Sequence, residues 1–157
     1  MPYGFHEHKH RYAVCTAARA VQRSFVTTFN ISRALETNSL PQFWRACVSL
    51  NQEEFDKQQE QWCHQIMQAL GNLGVPTSYR RAAKIVAIYL KNAIILPGIG
   101  EEPLATIIHP LIENILLQSL AQVKGLHHLR TIRWTQLDAL AYWNLVGDIR
   151  QQVRRFD

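Results

Sequence analysis

The stretch Ser78–Leu96, SYRRAAKIVAIYLKNAIIL, decides the fold class. Ala82, Ile85, Val86, Tyr89 and Ala93 recur at three- and four-residue spacing, the period of one face of an α-helix. Arg80, Lys84, Ala87 and Lys91 fall on a second line with Arg81 beside it, and the segment contains no acid. The pattern predicts an amphipathic helix from Thr77 to about Leu96, stopped by Pro97, Gly98 and Gly100.

Outward from this helix the same period recurs. Arg11 to Phe25 carries Val14, Ala17, Ala18, Val21 and Phe25 at helical spacing. Asn30 and Ser39 read as caps that divide the next stretch into short helices, the second opening with Pro41 in its first turn. Asn51 reads as the cap of a long helix striped by Phe55, Trp62, Ile66, Leu70 and Leu73. Glu53 and Glu54 stand in its first turn, where the helix dipole favours acids. Gly71, Gly74 and Pro76 end it. A further helix is expected from Pro110, and Thr135 with Asp138 resembles a capping box opening the last one, with Ala141, Leu145, Ile149 and Val153 as its buried row. No stretch alternates apolar and polar residues long enough to make a strand. The expectation is an all-α fold: a single compact domain over residues 11–157, with about six to eight helices, several of them short, and not a simple four-helix bundle. Residues 1–10 are read as a flexible polar N-terminal segment.

Composition narrows the function classes. A chain of 157 residues with 47% hydrophobic and 18% charged residues can bury a core without staples. The net charge of +5 favours acidic partners such as DNA or RNA. Cys15, Cys47 and Cys63 are odd in number and far apart, as expected of reduced, half-buried thiols in a cytoplasmic protein. No run is long and apolar enough to span a bilayer and the start is no secretory signal, so a soluble protein without a membrane partner is expected.

Three features could carry chemistry. The bases Arg80, Arg81, Lys84 and Lys91 on one helix could follow phosphates, with Arg130 and Arg133 in a basic loop ahead of Trp134 assisting. A solvated face is the commoner use of such a stripe. His109 and Glu113, four residues apart, share one face if the helix is entered at His109, which makes them candidates for a general base and its proton partner. Glu113 resting at a helix N-terminus and His109 bonding a carbonyl is the plainer reading. His6, His8 and His10 would share one face of an extended segment and could hold a metal, although terminal histidine tracts are more often solvated. There is no phosphate-cradling loop, dinucleotide fingerprint or zinc spacing, so no cofactor is expected.

Leu96–Gly100 resembles the hairpin of helix-hairpin-helix proteins, whose glycines let backbone N–H groups approach a DNA phosphate. The order of SYRRAAK, the YLK ending, HPLIE and Trp134 resembles uncharacterised small bacterial helical proteins over the second half of the chain, and more distantly the helix-hairpin-helix DNA glycosylases. In those glycosylases a lysine follows the hairpin and an aspartate comes later. Here Glu101, Glu102 and Pro103 follow it, no lysine occupies the nucleophile's place, and His109 or Glu113 would have to replace the aspartate. The bacterial proteins carry no function to transfer. The first expectation is therefore a non-enzymatic nucleic-acid-binding protein. Second is a divergent or inactive glycosylase-like protein with a pocket at His109 and Glu113. Third is an interaction module or homodimer joined through surfaces bearing Trp44 or Trp143.

Overall fold

The computed structural model describes residues 4–22, 26–46, 49–98 and 103–153. These form seven α-helices, one π-helical turn and short 3-10 turns, with no strand among the described residues. Phe25, Cys47, Ile99, Gly100, Glu101 and Glu102, used in the sequence reading, lie outside them. The chain divides into two compact units, residues 1–110 and 111–157.

The first unit holds α1 (Phe5–Val21), α2 (Thr28–Glu36), α3 (Leu40–Arg45), α4 (Gln52–Asn72) and α5 (Tyr79–Leu90), which continues into a π-helical turn, Lys91–Ile95. α5 lies between α1 and α4. Its small residues Ala82, Ala83 and Ala87 allow close approach, while Ile85, Val86, Tyr89 and Leu90 fill the core. α1 meets it with Ala13, Val14, Ala17, Ala18 and Val21, the stripe expected from the sequence. α1 begins at Phe5, so residues 5–10 form its first turns.

The caps explain where helices start. Asn51 accepts from Glu54 N while the Glu54 carboxylate accepts from Asn51 N, a reciprocal box at the head of α4. Asn30 belongs to the same kind of box at α2, but as its third residue; the cap is Thr27. Ser39 precedes α3 without capping it, because its hydroxyl accepts the indole N–H of Trp62 at 3.0 Å. Trp62 is fully buried and packs against Phe43 (ring centroids 4.9 Å apart) and Phe55 (5.9 Å). Leu73, expected on the buried row of α4, is exposed beyond the last turn.

The second unit contains α6 (Asn114–Leu120), 3-10 turns at His127–Thr131 and Trp134–Gln136, and α7 (Ala139–Val153). Gly125 sits at φ +93, a left-handed turn that costs glycine least, and a Cβ there would stand 3.1 Å from Gln152 Oε1. Asp138 caps α7 itself, accepting from Ala141 N at 2.8 Å, so the box expected from Thr135 does not form. The buried row of α7 is Tyr142, Leu145 and Val146; Ala141 and Ile149 are half-buried.

Candidate functional site

The predicted cationic helix exists, but it is not a solvated face. Every residue from Ile85 to Leu90 is buried, so α5 is enclosed nearly all round. Arg80, Arg81 and Lys84 are half-buried, and only Lys91, at the start of the π-turn, is exposed. Long basic side chains can lie along apolar surface with their stems covered, a placement that a helical wheel does not reveal.

The second unit presents its bases differently. Lys124, His127, His128, Arg130 and Arg133 are all exposed. His127, His128 and Arg130 lie in the His127–Thr131 3-10 turn, with Lys124 just before it and Arg133 just after it, and Leu126 and Leu129, both 1% exposed, anchor this segment. His127 Nδ1 bonds the Ala121 carbonyl at 2.9 Å and so ties the turn to α6. His128 Nε2 lies 3.7 Å from Asp148. No Asp or Glu occurs between Glu113 and Asp138, nor between Glu60 and Glu101. Positive charge is therefore segregated along the chain and exposed most fully at this turn.

His109 and Glu113 do not share a helix face. Proline disfavours helical backbone in the residue before it, and Pro110 follows His109. The chain stays irregular to Glu113, which is the half-buried N-cap of α6 in extended conformation (φ −137, ψ 169). His109 is 3% exposed and is held by α4. Gln59 donates its amide to Nδ1 at 2.8 Å, which leaves the ring proton on Nε2, donated to Asp56 Oδ1 at 2.9 Å. Gln52 donates to the same Asp56 oxygen and to the Ile107 carbonyl. Both ring nitrogens are engaged, and the Phe55 ring stands 5.8 Å away. This arrangement pins the 107–109 segment onto α4 and leaves no ring lone pair to act on a substrate. A polar residue on the buried row between Phe55 and Trp62, Gln59, was the sequence signal for it.

The three N-terminal histidines separate on α1. His6 lies against the Trp44 ring, His10 turns inward, and His8 is exposed. No group of three His, Cys, Asp or Glu side chains gathers for a metal among the described residues. His10 joins a cluster that sequence reasoning missed. Trp44 donates its indole N–H to Tyr89 Oη at 2.9 Å, and the Tyr89 hydroxyl donates to His10 Nδ1 at 2.7 Å. Burial, with the Arg45 cation next in importance, holds His10 below the usual histidine range, and burial pushes Tyr89 up to about 12. Trp44, expected on an interaction surface, is only 6% exposed.

Cys15 is exposed on α1, whereas Cys63 is buried with its thiol pushed up to about 12 by desolvation, which suppresses thiolate chemistry there. Pro97 and Gly98 of the glycine turn follow the π-turn, with Gly98 N bonded to the Ile94 carbonyl at 3.2 Å. Among the described residues no helix is long and apolar enough to cross a membrane. No family model, curated protein or solved structure matches this chain.

Proposed function

We propose that this protein binds nucleic acid without catalysis, gripping the phosphate backbone chiefly with the basic turn of the second unit. The observation that supports this reading is the exposure of Lys124, Arg130 and Arg133 in and beside the His127–Thr131 turn, within an acid-free stretch. Cations of this kind contact phosphates by charge-assisted hydrogen bonds, and each contact displaces condensed counterions. The buried Leu126 and Leu129 and the His127 Nδ1 bond to the Ala121 carbonyl hold the turn in one shape. Lys91 and the half-buried Arg80, Arg81 and Lys84 belong to the first unit and are not part of this grip. No base-reading element is assigned, so the reading is of sequence-blind binding.

The test is fluorescence anisotropy with labelled duplex and single-stranded DNA and RNA across a salt series. The Lys124→Glu/Arg130→Glu/Arg133→Glu variant should lose affinity for every sequence alike. Equal affinity in that variant would remove the basic turn from the account.

A further inference from the structure

A second site lies in the first unit and does not depend on nucleic-acid binding. A cavity of about 260 Å3 opens beside Trp44. Its walls are the Trp44 ring, Leu50, Ala93, Ile94, Pro103 and Leu104, and its polar margin is His6, Lys9, Arg45 and Ser49. No acid lines it among the described residues.

Two features distinguish it from an incidental hollow. The first is the π-turn that forms one wall. Leu96 N reaches back five residues to the Lys91 carbonyl at 2.9 Å, and the Asn92 amide, 6% exposed, donates to the Ile88 carbonyl at 2.8 Å. The widened turn carries Ala93 and Ile94 into the cavity wall. π-Turns sit less well than α-turns and concentrate where helices are shaped for function.

The second is the arrangement of charge. Lys9 Nζ stands 5.0 Å from the Trp44 ring centroid and Arg45 Cζ 5.6 Å from it, with the His6 ring 5.7 Å away. Neither cation lies within ion-pair distance of an acid among the described residues; Lys9 also stands 5.5 Å from the Phe5 ring, and Glu7 feels the Arg45 charge from the neighbouring hollow. The indole N–H is already committed to Tyr89, which fixes the ring orientation.

An apolar chamber with two cations and an imidazole at its margin matches an amphiphilic anion. The volume falls below the roughly 300–1,000 Å3 of drug-sized sites, which restricts the ligand to a small molecule. We propose that this cavity binds a small carboxylate with an apolar tail, its headgroup taken by Lys9 and Arg45 and its tail lying against Leu50, Ile94 and Leu104.

The probe is octanoate, with 1-octanol as its neutral counterpart, titrated into the full chain by calorimetry and by amide NMR. Octanoate should bind saturably at one site, shift the resonances of Ala93 and Ile94, and exceed 1-octanol in affinity by about tenfold or more. Lys9→Met/Arg45→Met keeps the apolar stems and should remove that advantage. Leu104→Trp, at a half-exposed wall position, should block octanoate while leaving the far-UV circular dichroism unchanged. Absence of saturable octanoate binding, or resonance shifts confined to the second unit, would overturn the site. Unchanged octanoate affinity in the Lys9/Arg45 variant would overturn recognition of the carboxylate.

Discussion

His109 Nε2 donates to Asp56 Oδ1 at 2.9 Å, joining two residues 53 positions apart through a side chain almost wholly removed from solvent. Its other nitrogen is occupied by Gln59, so the histidine most open to a catalytic reading from sequence is an internal strut. Truncation removes one hydrogen bond each from Gln59 and Asp56 and opens a void beside Phe55. His109→Ala should therefore cost about 2–4 kcal/mol of stability. Urea denaturation checks this. A loss below about 0.5 kcal/mol, the range of an ordinary surface change, would mean that the strut carries no load.

The Trp44–Tyr89–His10 chain predicts a pH dependence. His10 is held below its ordinary value near 6.5 when folded, mainly by desolvation. Just below that value the unfolded chain binds the proton more readily than the native one. Stability therefore rises with pH through the window between the lowered folded value and 6.5, and falls on acidification. His10→Asn keeps an acceptor for the Tyr89 hydroxyl but cannot titrate, and it should flatten this part of the profile. Urea midpoints measured from pH 5 to 7.5 with parallel slopes in both proteins would contradict the assignment.

Removing the Tyr89 hydroxyl has a separate consequence. Tyr89→Phe strands the buried indole N–H of Trp44, at a cost of about 1–3 kcal/mol. Trp44→Phe should lose less in the Tyr89→Phe background than in the wild type. A double-mutant cycle by urea denaturation measures that coupling, and strict additivity would exclude the bond as a contributor.

The two described cysteines should differ sharply. In a Cys47→Ser background, Ellman's reagent should titrate Cys15 at once and Cys63 only in denaturant. Rapid reaction of two thiols in the native protein would show that Cys63 is not sealed.

Local signals made much of this architecture legible. Asn51 with Glu54 marks the head of α4, the alanines and valines of α1 mark its buried stripe, and the period of Ser78–Leu96 marks α5. What a helical wheel omits is how many neighbours a helix has. α5 is enclosed on more sides than its apolar stripe implies, because long bases cover surface with their stems and Ala87 lies buried on the basic line. The His109–Glu113 spacing misled for another reason. It presumed helix at His109, where Pro110 and the tertiary bonds to Asp56 and Gln59 keep the backbone irregular. Ser39 likewise looks like a cap, but its hydroxyl serves Trp62, 23 residues further on. Partners at such separations leave no periodic trace.

The most direct test of nucleic-acid binding is the salt dependence of DNA affinity in the wild type and in Lys124→Glu/Arg130→Glu/Arg133→Glu. With three phosphates engaged, log K should fall with log salt at a slope of about −2.7, a loss of roughly 40-fold between 50 and 200 mM. The variant should bind weakly with a slope near zero. A wild-type affinity that ignores salt, or a variant with the wild-type slope, would contradict the assignment of phosphate contacts to this turn.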